Sequence, residues 1–91
     1  MGRKMVEKFL LICSCRGQEK KAIQSFNVLF PGEKAPPVVK GRDRMMKFAL
    51  ERKNDHLKAL AKLSGRYSYY VELDGDKIVK EINLDNGKRI A

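Results

Sequence analysis

Apolar and polar positions along the chain change their period several times, and each change marks an element. Residues Lys8 to Ser14 form a short apolar run with β-branched and aromatic content, the pattern of a buried central strand. Arg16-Gly17 breaks it. From Gln18 to Phe30, apolar Ala22, Ile23, Phe26, Leu29 and Phe30 recur at helical spacing, with Glu19, Lys20, Lys21, Gln24 and Asn27 on the other face. Pro31-Gly32 ends this helix. A polar, Pro-containing loop follows over Glu33 to Pro37, and Val38-Val39 begins a second strand. Lys40-Gly41-Arg42-Asp43-Arg44 reads as a charged turn. Met46, Phe48 and Leu50 alternate with Lys47 and Glu51, so Met45 to Glu51 is expected as a strand, although Met, Ala, Leu, Glu and Lys are also good helix formers.

Asn54 or Asp55 is placed to cap a short helix carrying Leu57, Leu60, Ala61 and Leu63, closed by Ser64-Gly65. Tyr67 to Leu73 and Asp76 to Leu84 then form a hairpin about Asp74-Gly75 as a type I′ turn. That register pairs Glu72 with Lys77 and puts Val71, Ile78, Tyr67 and Ile82 on one face. The order of elements predicts an α+β fold: two helices packed on one face of a small mixed β-sheet with a C-terminal β-hairpin. The 91 residues suit a single domain spanning 1–91, with 1–6 and 86–91 expected to be loose.

Charge adds a partner class to this picture. Lys and Arg number 20 against 11 Asp and Glu, a formal net charge of +9. The excess is uneven: residues 1–45 hold 10 basic and 4 acidic side chains, residues 46–91 hold 10 and 7. A positive field of this size on a small body attracts polyanions, phosphate backbones first among them. The competing reading is a charged face that only keeps the protein soluble. The apolar stretch Phe9–Cys13 is too short to span a membrane and no small-residue cleavage site follows it. Val6 stands where myristoylation at Gly2 calls for Ser or Thr.

Chemistry-bearing residues are sparse. Cys13 and Cys15 alternate on the expected strand, so they point to opposite faces and suit neither a disulfide nor one metal; such cysteines suggest a reducing, cytoplasmic setting. His56, the single histidine, falls at the start of a short helix and reads as a surface or capping residue. Asp74 and Asp76 flank a turn Gly, where Asp is favoured structurally. No phosphate-loop or dinucleotide motif is present. No catalytic residue, metal or cofactor is therefore expected. The candidate site is basic: Arg16, Lys20 and Lys21 around a helix N-terminus, and Lys40, Arg42 and Arg44 in the Gly-containing turn. Tyr67, Tyr69 and Tyr70 are candidates for stacking on unpaired bases, although at least one face of their strand must be core.

The segment Phe9-Leu10-Leu11-Ile12-Cys13-Ser14-Cys15-Arg16-Gly17-Gln18-Glu19-Lys20-Lys21-Ala22-Ile23 resembles the start of a THUMP domain. The later order, an extended segment, a helix around Leu57 to Leu63 and closing strands, resembles that family too. The resemblance implies an RNA-binding α+β module that presents tRNA or another structured RNA to a modifying enzyme, with Arg16, Lys20 and Lys21 near the helix end. The strand and helix leading to Pro31-Gly32 and then Lys40-Gly41-Arg42 also resemble the first half of a Brix-type ribosome-assembly domain. Both resemblances imply RNA, tRNA or rRNA, as partner. The alternative is a structural or interaction subunit of a ribonucleoprotein or other multi-protein complex, its contacts made through an exposed sheet edge and the tyrosines. Attachment to an anionic membrane ranks last, because the helix that would carry it is expected to be core.

Overall fold

The computed structural model describes residues 6–12, 17–63 and 67–90. Its elements are β1 (Glu7–Ile12), α1 (Gln18–Leu29), β2 (Val38–Lys40), α2 (Arg42–Arg52), α3 (Asp55–Lys62), β3 (Ser68–Asp74) and β4 (Lys77–Asn83). The strands form one mixed sheet in the order β2-β1-β3-β4. β1 and β2 are parallel, and the crossover a parallel pair needs is supplied by α1. β1–β3 and β3–β4 are antiparallel. The fold is α+β and ends in a strand pair.

β1 is central, and its apolar run is explained by cover on both sides: Leu10, Leu11 and Ile12 are at most 1% exposed. Leu10 and Ile12 join Ala22 and Phe26 of α1, with Tyr70, Ile82 and Leu84. Leu11 faces the other way, among Met45, Phe48 and Ala49 of α2 and Leu57, Leu60 and Ala61 of α3. Among the described residues the helices are thus three, not two, and they cover both faces of the sheet. The side of the sheet on which each helix packs depends on its connection, which periodicity does not encode.

Residues 45–51, expected as a strand, are helical. The stripe that decides this is Met45, Phe48, Ala49 and Arg52, at helical spacing; Leu50, which alternation would bury, is 55% exposed. The expected turn over Lys40–Arg44 is instead the end of β2, one glycine and the start of α2. The predicted cap holds: the Asn54 side chain accepts from the Leu57 N–H at 2.9 Å. Leu63 is 43% exposed and Leu29 38%, so neither joins the core.

The hairpin turns on Gly75-Asp76, one residue later than expected, since Asp74 pairs with Lys77. Type I′ needs positive φ at both central residues; here Gly75 (φ 65°) has it and Asp76 does not, which is the type II′ pattern. A bulge then places Leu73 opposite Ile78 but Glu72 opposite Lys80. Val79 is the extra residue. It switches the parity of β4, so that Ile78 packs with the α2–α3 side and Ile82 with the α1 side. The expected Glu72–Lys77 pair is replaced by Glu72–Lys80 at 3.7 Å. Residues 86–90, expected to be loose, fold back on β4: the Ile90 N–H donates to the Glu81 carbonyl at 2.7 Å, and Arg89 bridges to Ile82. Residues 1–5, Cys13, Cys15, and the Ser64-Gly65 cap lie outside the described residues.

Candidate nucleic-acid interface

Because β1 and β2 run in parallel, their carboxyl ends share one end of the sheet. α1 leaves β1 over one face, and α2 leaves β2 over the other. Adjacent parallel strands whose connections depart to opposite faces leave a point where ligands of open α/β sheets commonly bind. Two backbone contacts tighten this end. The Gly41 N–H donates to the Ile12 carbonyl at 3.0 Å, and the Arg42 guanidinium donates to the Leu63 carbonyl at 3.1 Å. The starts of α1 and α2 and the finish of α3 therefore meet there.

Four of the six residues singled out by their charge lie at this end. Lys20 is exposed in the first turn of α1, Lys40 ends β2, and Arg42 and Arg44 are exposed in the first turn of α2. Lys40 is ion-paired, its Nζ 3.1 Å from Glu19 Oε1. Lys21 is separated from the rest: it lines a groove beside Val28, Leu84 and Asp85, on the β4 side of α1. Arg16 lies outside the described residues.

Two further cations join the cluster. Lys47 is exposed on α2, three residues on from Arg44, and Lys62 is exposed in the last turn of α3. Residues 45–51 read as a strand hide Lys47; the Met45, Phe48, Ala49, Arg52 stripe was the signal that would have found it. Lys62 had none, because its position depends on α3 packing antiparallel to α2. Among the described residues, Lys20, Arg44, Lys47 and Lys62 have no carboxylate at ion-pair distance. The caps of α1 and α2 are Gly17 (φ 78°) and Gly41 (φ 98°), and neither helix has a side-chain cap bond. Their first-turn amides add partial positive charge to the same end.

The tyrosines are not part of it. Tyr67, Tyr69 and Tyr70 are all buried, the most exposed of them at 9%, so both faces of β3 are core. Burial pushes the Tyr70 phenol well above its ordinary value, helped by its hydrogen bond to Glu72; burial also raises Tyr69, with Glu81 and Asp85 adding to it. At the opposite end of α3, His56 Nε2 lies 2.6 Å from Glu81 Oε1. Glu81 is 1% exposed, carried inward by the shifted parity of β4. Its neighbour in the sequence pattern gave no hint of that. The pair borders an open groove of about 490 Å³ with Asn54, Asp76 and Lys77. Among the described residues, no group of three or more His, Cys, Asp or Glu could hold a metal ion, and no helix is long and apolar enough to cross a membrane.

No family model matches the chain, and neither the curated proteins nor the solved structures contain a match to it.

Proposed function

We propose that the protein is a small, non-catalytic RNA-binding module that holds structured RNA, tRNA or rRNA, at the basic end of its sheet and presents it to a partner enzyme. The observation that carries the reading is the placement of Lys20, Arg42, Arg44 and Lys62 at the start of α1, the start of α2 and the end of α3, which share one end of the sheet, with Lys47 further along α2; among the described residues Lys20, Arg44, Lys47 and Lys62 have no ion-pair partner, and Arg42 is held by a backbone carbonyl. Cations gathered on one surface neutralise several phosphates at once, whereas the same charges spread evenly would serve solubility alone. The starts of α1 and α2, which have no side-chain cap, add partial positive charge to this end, offset in part by Glu19 and Asp43 in their first turns. The net charge of +9 supplies the long-range attraction.

The test is binding of folded tRNA-sized RNA to the full chain across a salt series. The expected result is binding at low salt whose affinity falls linearly on a log–log plot as salt rises. The Lys20→Glu/Arg42→Glu/Arg44→Glu variant, with helix content unchanged by circular dichroism, is expected to lose affinity by about tenfold or more. Absence of binding at low salt overturns the proposal. Equal binding by the variant overturns the site.

A further inference from the structure

The chain has seven aromatic residues, four Phe, three Tyr and no Trp, and all seven lie among the described residues. Their positions restrict what kind of RNA the basic end can hold. Proteins that grip unpaired bases do so on aromatic faces or Arg planes, each stacked base contributing much of the affinity. Tyr67, Tyr69, Tyr70, Phe26 and Phe48 are buried. Phe9 and Phe30 are partly open, but each ring already carries a cation: Arg52 sits 5.4 Å from the Phe9 centroid and Lys80 sits 5.9 Å from that of Phe30. Phe30 also lies far from the basic end, since it follows the end of α1. The basic end itself presents Lys20, Arg42, Arg44 and Lys62 on helix termini and Lys47 at the middle of α2, with no aromatic ring among them. Arg42, the guanidinium nearest the meeting point, is committed to the Leu63 carbonyl.

Resting on the RNA-binding reading, we infer that the ligand is a double-helical RNA segment, recognised through its phosphates and not through its bases. Phosphates on a helix are presented at fixed spacing, which a rigid row of lysines and arginines on two packed helices can follow. α2 and α3 supply that row: Arg44 and Lys47 lie one turn apart on α2, and Lys62 ends the neighbouring α3. Unpaired strands offer the same charge, but among the described residues this surface has no aromatic ring to hold their bases, and Arg44 alone leaves a guanidinium plane uncommitted. Recognition of this kind is indifferent to sequence and strongly dependent on salt.

The experiment compares four probes of equal length against the full chain: an RNA duplex, a second RNA duplex of unrelated sequence, single-stranded polyuridine and a DNA duplex. Affinity is read by anisotropy across a salt series. The expected result is equal affinity for both RNA duplexes, about tenfold or more above polyuridine. Lys47→Glu and Lys62→Glu, neither of which touches the core, are each expected to lower the salt slope for the duplex by about one. Tyrosine fluorescence is expected to stay unchanged on binding. Tighter binding of polyuridine, or quenching of the tyrosines by it, overturns the duplex inference while the RNA-binding function stands. A DNA duplex bound as tightly as RNA leaves recognition of a double-helical backbone in place and overturns RNA as its proper ligand. Failure to bind any probe at low salt overturns both.

Discussion

At the end of the sheet where β1 begins, Arg52, Lys8 and Lys58 are paired, while Lys53 and Lys77 are exposed with no carboxylate at ion-pair distance among the described residues. Arg52 meets Glu7, Lys8 lies 3.6 Å from Glu33, and Lys58 lies 3.4 Å from Asp55. Arg52 also rests against the Phe9 and Phe48 rings, and Asn54 ties the α2–α3 junction to the hairpin through the Asp76 carbonyl at 2.7 Å. At the other end, where β1 and β2 finish, Lys40–Glu19 is the ion pair found among the described residues, and Lys20, Arg44, Lys47 and Lys62 face water. Both ends hold similar residue types. What separates them is how many of the cations meet an acidic partner: three at the first end, from another element for Arg52 and Lys8 and from within α3 for Lys58, against Lys40 at the second. Exposed pairs contribute little stability, about 0–1 kcal/mol each, so the pairs at the first end chiefly offset charge. The second end keeps its field available to an outside anion.

If this contrast is right, substitutions at the first end change stability and spare RNA binding, and substitutions at the basic end do the reverse. The largest stability effect is expected from His56→Ala, which leaves the buried Glu81 carboxylate without its imidazole partner and costs about 1–3 kcal/mol in urea unfolding. RNA affinity should not move; a parallel loss of affinity would merge the two ends. Arg52→Ala removes the contact with Glu7 and the cation over two rings, at a cost of about 1 kcal/mol by the same measurement. An unchanged midpoint would make the Arg52 contacts incidental.

A smaller effect is expected at high pH. Tyr69 and Tyr70 hold their protons above the ordinary phenol value of 10.0, so the folded state binds more protons than the unfolded chain once pH passes that value. Stability should be level below about pH 10 and fall above it, and Tyr70→Phe should make that fall shallower. An identical pH profile in the variant would remove Tyr70 from the account. The smallest stability change is expected from Arg44→Glu/Lys47→Glu, within about 0.5 kcal/mol, because both side chains are exposed and unpaired. The same variant is expected to lose about tenfold in RNA affinity, about 1.4 kcal/mol. A large loss of stability here would show that these cations hold the fold.

Features carried by contiguous residues were legible in the sequence. The apolar run of β1, the stripe of α1, the Asn54 cap and the existence of the hairpin depend on neighbours within a turn or two, and local periodicity reports them. Four of the six candidate cations, Lys20, Lys40, Arg42 and Arg44, stand at one end of the sheet, because Gly-containing connections after parallel strands fall at the same end. Residues 45–51 were not legible, since Met46, Phe48 and Leu50 alternate as a strand would. Burial of Met45, Phe48 and Ala49 against Leu11 and α3 decided for the helix.

The rest is tertiary. One extra residue at Val79 changes which face every later β4 side chain takes, and so buries Glu81 beside His56. Burial on both faces of β3 turned Tyr69 and Tyr70 into core, and Tyr67 just before the strand is buried with Tyr69. The sequence by itself determined the amount of charge and most of the elements. The parallel pairing of β1 with β2, and the departure of α1 and α2 to opposite faces, decided which cations share a surface, because that depends on contacts between residues far apart in the chain.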